Sequence, residues 1–159
     1  MNVFVLDYNS QKSAEYHTDK HVVKMITESA QLLSSAYYAT DSIEFAPYKL
    51  SHAQHPWAIW ARKSIDDWYW LAIFGIYLYE EYKYRYYNRI HAGGEAIKGM
   101  LEHPPNIDHS SLKPMPLCMP DYCKTSDVVE AYRTYYIKEK SHLFRWTGRD
   151  VPFWIQGDN

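Results

Sequence analysis

Several features that would narrow the class of this chain at once are scarce or missing. Its 159 residues include only two cysteines, Cys118 and Cys123. Two are too few for a disulfide framework, and their spacing suits zinc poorly, so a reducing, cytoplasmic location is the default reading. No run is apolar enough for a membrane helix. The richest, Trp68 to Tyr79, is broken by tyrosine and glycine and is followed at once by Glu80, Glu81 and Lys83. The start of the chain has no basic region and Asp7 interrupts its short apolar stretch, so it does not read as a signal peptide. There is no internal repeat and no low-complexity tract. Charge excess is also missing: 17 Lys and Arg against 19 Asp and Glu give a net charge of −2. Any nucleic-acid role must therefore rest on local patches.

What is present points to a globular protein. Hydrophobic residues make up 47% and charged residues 23%, enough to bury a core in one domain spanning residues 1–159. Aromatics are the outlier, with 16 Tyr and 6 Trp. Their large apolar faces and polar tips suit a helical core and also a surface that stacks bases.

Val3-Phe4-Val5-Leu6 is apolar and β-rich, and Asp7-Tyr8-Asn9-Ser10 has turn chemistry. The expectation is a short N-terminal strand or extended arm that ends at a helix cap, Asn9 or Ser10. A single helix is expected from there to about Tyr38. After a polar connection, His55-Pro56 opens a second helical region to about His91, with a break at the cap signal Ser64-Ile65-Asp66-Asp67. Gly93-Gly94 follows, and Gly99 to Lys124, with five prolines, reads as a long Pro-rich loop. Thr125 or Ser126 caps a last helix, and the aromatic tail from Trp146 packs back on the body. The fold class is all-α: a compact multi-helix domain with a minor strand.

Four constellations carry candidate chemistry. On the first helix, His17, His21, Lys24 and Glu28 fall at i, i+4, i+7 and i+11, within roughly 60° of one another at about 100° per residue. The apolar stripe of Met25, Ile26, Leu32, Leu33 and Ala36 lies elsewhere on the same helix. Two histidines four apart can share zinc, but the zinc-protease pattern needs a Glu after the first, and Thr18 stands there. Zinc at His17 and His21 is thus a minor alternative, and no other cofactor is expected. A second alternative is two half-buried histidines bonded to their neighbours. The third is a metal-free acid/base or phosphate site, in which Lys20 or Lys24 holds an anion or acts as an amine nucleophile.

The second constellation, His52, His55, Pro56, Trp60 and Arg62, reads either as a solvated first helical turn or as a phosphate- or carboxylate-binding fork on a helix start. The third, Glu80 to His91, interleaves Lys83, Arg85 and Arg89 with tyrosines such as Tyr84, and the fourth repeats this with Tyr132, Arg133 and Tyr135 to Lys140. Cations for phosphates and rings for bases are what a nucleic-acid groove requires, although Glu81 and Arg85 at i, i+4 equally make an ordinary ion pair. His55, Arg62, Tyr84, Arg85, Tyr132 and Arg133 are the candidate substrate-binding residues.

The order of these features resembles a family. A short apolar start leads into a charged helix, then Tyr48 and His55-Pro56, then an aromatic helix ending in Glu81-Tyr82-Lys83-Tyr84-Arg85-Tyr86. Over residues 1–91 this layout is similar to the small pyrimidine-dimer DNA glycosylases of the endonuclease V type found in phages and bacteria. The chain also looks like small proteins of large tailed phages, which implies action in the host-cell cytoplasm. The resemblance implies a compact all-α fold and attack of an amine on sugar C1′ of a damaged or modified nucleotide, giving a Schiff base, in DNA repair or modification. The family uses its N-terminal α-amine, exposed when Met is removed before a small residue, but residue 2 here is Asn, which normally retains Met1. The family's basic and acidic pair falls near Asp19-Lys20-His21, in a different order. The nucleophile could then be Lys20 or Lys24, with Asp19 or Glu28 as partner carboxylate. The expected function is a glycosylase-like enzyme acting on DNA or a nucleotide. The alternatives are a nucleotide-binding enzyme or sponge, which the low net charge favours, and a non-catalytic protein that docks a host partner.

Overall fold

The computed structural model describes residues 1–155. Among them are six α-helices: α1 (Ser10–Glu15), α2 (Asp19–Ala39), α3 (Pro56–Ala61), α4 (Ile65–Arg85), α5 (Ala92–Glu102) and α6 (Val128–Glu139). No helix is long and apolar enough to cross a membrane among the described residues. Helix α2 lies at the centre and packs against α3, α4 and α5, while α1 packs against α4.

The expected N-terminal strand is not formed, since the described residues contain no β-strand. Val3, Phe4, Val5 and Leu6 are buried as an extended arm. Side chains replace a strand partner: Ser13 Oγ accepts from Leu6 N at 2.9 Å, and Arg133 Nε donates to Leu6 O at 2.8 Å. A buried backbone needs partners, and here helices supply them through side chains.

The single first helix expected from Ser10 to Tyr38 is two helices, broken at Tyr16-His17-Thr18. Asn9 caps α1 by accepting from Lys12 N. The break is held from far along the chain. Arg85 donates to Glu15 O and His17 O, both at 2.8 Å, and Tyr136 Oη accepts from Thr18 N at 3.2 Å. Carbonyls at the end of α1 that would otherwise continue the helix are satisfied by a guanidinium instead.

The break inside the second helical region falls where expected. His55 caps α3, which starts on Pro56, and Ser64 caps α4 by accepting from Asp66 N. Helix α4 ends at Arg85, ahead of the expected His91, in a turn where Tyr87 and Asn88 adopt φ of 55° and 56°.

Helix α5 is an addition to the sequence reading: Gly93 and Gly94 open a helix that runs into the supposed Pro-rich loop. A Cβ on Gly94 would lie 2.3 Å from the Tyr79 ring, so glycine permits α5 to press against α4. The Pro-rich loop therefore begins near His103. It is pinned by Lys113 N donating to Asp67 Oδ1 at 2.8 Å and by Ser64 Oγ donating to Ser110 O at 2.7 Å.

The core gathers Leu6, Met25, Ile26, Leu33, Trp57, Trp68, Phe74, Tyr79, Tyr132 and Tyr136. Most of the aromatic excess lies in the core or packs partly buried against it, and polar tips in the core are bonded: Trp57 Nε1 donates to Tyr132 Oη at 3.0 Å, and Tyr37 Oη donates to His103 O at 2.7 Å.

Candidate functional site

Breaking the first helix separates His17 from the edge it was expected to share. His17 lies in the turn between α1 and α2, and only His21, Lys24 and Glu28 lie on α2. His17 is wholly buried, with Nδ1 2.7 Å from Ser13 O and Nε2 without a partner among the described residues. Burial and the neighbouring His21 hold its pKa down to about 3, so it is a neutral core imidazole at physiological pH. His21 is 5% exposed and stacks on Phe4 with ring centroids 4.7 Å apart. Burial and the charges of Lys140, Lys24 and His142 bring it to about 4. No group of three His, Cys, Asp or Glu side chains that could hold a metal occurs among the described residues, so the His17–His21 pair has no third ligand beside it. Cys118 and Cys123 are both free thiols.

Asp19 and Arg85 belong to a closed ionic girdle. Arg85 bonds Asp19 Oδ1 at 3.0 Å and Glu81 Oε1 at 2.7 Å, with its side chain fully buried. The tail completes the girdle: Thr147 donates to both Asp19 oxygens, at 2.9 and 2.6 Å, and Arg149 donates to Glu81 Oε2 at 2.9 Å. Burial works to raise the Asp19 pKa, but the Thr147 bonds and Arg85 outweigh it and leave Asp19 below its ordinary value. Both groups are thus occupied in joining α1, α2, α4 and the tail.

Three more of the predicted binding residues hold the framework. Arg62 donates to Ala53 O at 2.6 Å. Tyr132 is fully buried, and its hydroxyl donates to Pro116 O at 2.8 Å. Arg133 bonds Leu6 O and Asp7 and lies over the rings of Tyr16, Phe153 and Trp154. Tyr84 is exposed, carries Arg149 over its ring at 4.2 Å and donates to Gly148 O.

Of the remaining candidates, Lys24 and His55 gather around Glu28, whose side chain is only 10% exposed. Lys24 Nζ lies 3.3 Å from Glu28 Oε1, and the Met1 nitrogen lies 3.7 Å from Oε2. Asn2 N donates to the same Oε2 at 2.8 Å, and the Asn2 amide donates to Cys118 O. His55 borders this group. Its Nδ1 accepts from Trp57 N, and it feels the charges of the Met1 amine and Glu28. Burial is the main cause that holds its pKa below the ordinary histidine value. One buried carboxylate thus faces two amine nitrogens, with Lys24 still 63% exposed. An amine beside a carboxylate that can take its proton is a unit for nucleophilic or acid/base chemistry.

Lys20 is exposed one turn before Lys24. It lines a cleft of about 500 Å³ with Asp19, Tyr86, His142, Phe144, Arg145 and Thr147. The sequence reading did not find the Met1–Asn2 contacts with Glu28, nor Tyr136 as the partner of His21, because these contacts link residues 26 and 115 positions apart. The aromatic tail carried a visible signal, since its packing against the body was expected from Trp146 onward, but Thr147 and Arg149 carried none. Comparison with protein-family models, with curated proteins and with solved structures found no match for this chain.

Proposed function

We propose that this chain is a glycosylase-like enzyme acting on DNA or a nucleotide, with Glu28 and an adjacent amine as its reacting pair. The observation that carries the reading is the convergence of Lys24 Nζ and the Met1 nitrogen on one largely buried carboxylate, at 3.3 and 3.7 Å. The layout shared with the small pyrimidine-dimer glycosylases over residues 1–91 supports it, because that chemistry needs an amine beside a carboxylate. The reacting amine is Lys24 or, where the chain starts at Met1, its α-amine.

In the reaction the ammonium passes a proton to Glu28 and attacks C1′ as the free amine. The glycosidic C–N bond breaks, and its electron pair leaves on the base, which takes a proton from water. The new nitrogen substituent loses a proton to solvent. The C1′–O4′ bond then opens: O4′ takes the proton from Glu28, and C1′ becomes an iminium carbon. His55, beside the amine, is suited to orient the sugar.

Borohydride reduction in the presence of DNA carrying an abasic site tests this. A covalent protein–DNA adduct is expected with wild type and lost in Glu28→Gln; no adduct with wild type would overturn the reading. The net charge of −2 favours a mononucleotide as the alternative substrate. For that substrate, duplex affinity would be small and nearly independent of salt, whereas a DNA enzyme loses affinity steeply as salt rises.

A further inference from the structure

The segment that follows α6 crosses the start of α2. Arg145 O accepts from Asp19 N at 2.9 Å, and the Thr147 hydroxyl donates to Asp19 Oδ2 at 2.6 Å. Between this segment, the first residues of α2 and Tyr86 just past α4 lies the cleft of about 500 Å³. Small-molecule sites span roughly 300–1,000 Å³, so the cleft has the size of one. Its apolar wall is already fixed. Phe144 packs on Trp146 and Tyr136 with ring centroids 5.0 and 6.3 Å away. Tyr86 packs on Tyr82 at 4.9 Å and donates to Asp19 O at 3.4 Å. A ligand seated there need not order these rings.

The polar side of the cleft is cationic and open. Lys20 and Arg145 line it, with His142 as a further hydrogen-bond donor. The ion pairs of α2 join Asp19 to Arg85 and Arg145, and Glu28 to Lys24 and the Met1 nitrogen; Lys20 enters none among the described residues. Arg145 meets Asp19 through Nε alone, at 3.5 Å, and its side chain is 81% exposed, which leaves its two terminal nitrogens for a ligand. Asp19 is the one acid among the described lining residues, and both its oxygens are engaged by Arg85 and Thr147. The helix start adds to this field. Thr18 stands at the cap position, but its hydroxyl is wholly buried without a partner, and the Lys20 and His21 amides have no acceptor among the described residues. Uncapped amides at the positive end of a long helix attract an anion.

We propose that this cleft binds a nucleoside phosphate, with the phosphate on Lys20, Arg145 and the open start of α2 and the base against Phe144 and Tyr86. Two cations and uncapped amides select an oxyanion with several acceptor oxygens, and the aromatic wall selects a flat ring attached to it. Inorganic phosphate leaves the wall unused, and an uncharged nucleoside leaves the cations unused. The cleft shares no group with the pair at Glu28. Lys20 and Glu28 are eight residues apart on α2, about 12 Å along the axis at 1.5 Å per residue. The site therefore goes beyond the reaction proposed at Glu28 and does not require it. A free nucleotide and one unit of a strand offer it the same chemistry.

Backbone-amide NMR of the whole chain, titrated with thymidine 5′-monophosphate, thymidine, inorganic phosphate and a short thymidine oligonucleotide, tests the proposal. Thymidine 5′-monophosphate is expected to shift the Lys20, Phe144 and Arg145 amides saturably. It should bind about tenfold more tightly than inorganic phosphate, from stacking one base, and more tightly than thymidine. Lys20→Gln and Arg145→Gln, both at the surface, should each weaken binding by about fivefold, as for one unit charge at contact distance in water. Lys49→Gln, which removes an exposed charge outside the cleft, should leave it unchanged. Much tighter binding of the oligonucleotide than of the mononucleotide would identify a strand as the source of the phosphate, and equal binding a free nucleotide. Overturning results are no saturable shift with either, shifts confined to other residues, equal affinity for inorganic phosphate, or no more weakening by Lys20→Gln and Arg145→Gln than by Lys49→Gln. Binding here without a borohydride adduct would overturn the reaction and leave this site standing; an adduct without binding here would do the reverse.

Discussion

Helix α2 carries two carboxylates that sit in opposite surroundings. Asp19 is enclosed by Arg85, Thr147 and Arg145, and the network continues through Glu81 to Arg149. Glu28 is as buried as Asp19 but meets Lys24, which still reaches solvent. Both histidines are buried: His17 has one nitrogen unpartnered among the described residues, and His21 bonds the Tyr136 hydroxyl. A closed network fixes how helices meet, and an open one leaves groups free to engage a substrate. Composition does not separate the two, because both contain the same residue types.

The largest effect that can break this comparison comes from acid. His17 and His21 are held to about 3 and about 4 in the folded chain, against 6.5 for an unhindered histidine. The unfolded chain therefore binds more protons below pH 6.5, and stability falls as pH drops through that value toward 4 and then 3. Urea unfolding should show a loss on the order of 5 kcal/mol between pH 7 and pH 4.5, with no loss from these groups above pH 6.5. Flat stability down to pH 5 would mean that the pair is not buried in neutral form.

Removing the centre of the girdle comes next. Arg85→Ala leaves Asp19 and Glu81 buried with too few partners and uncaps the end of α1, and should cost about 3–5 kcal/mol in chemical denaturation. Lys24→Ala, which removes a largely exposed partner of Glu28, should cost less than about 1 kcal/mol. Equal costs would erase the distinction between closed and open networks. Gly94→Ala is expected to cost about 1–3 kcal/mol, because the new methyl meets the Tyr79 ring at 2.3 Å and one helix must shift. A neutral result by thermal unfolding would show that the contact between α4 and α5 is slack.

What could be read in the sequence divides along the same line. The caps at His55 and Ser64 were legible because a cap is a contact between residues two or three apart. The proximity of Lys24 and Glu28 was legible because helical spacing alone brings them together. The break at His17 was not, since Arg85 and Tyr136 make it from 68 and 118 residues away. Helix α5 was hidden because Gly93-Gly94 reads locally as a breaker, and its value appears only against Tyr79. The basic and aromatic runs around Arg85 and Arg133 suggested a groove, but those two guanidiniums are occupied by Glu81, Asp19, Asp7 and backbone carbonyls. Spacing gave the residue types that meet, and long-range contacts decided which of them stay available.

The most direct measurement compares borohydride trapping on abasic-site DNA by Glu28→Gln and Asp19→Asn, with the adduct located by peptide mass mapping. The account predicts that Glu28→Gln folds normally and forms no adduct. It predicts that Asp19→Asn is destabilised but still forms one, at Lys24 or the Met1 amine. An adduct that survives in Glu28→Gln, or that maps to neither amine, would contradict the account.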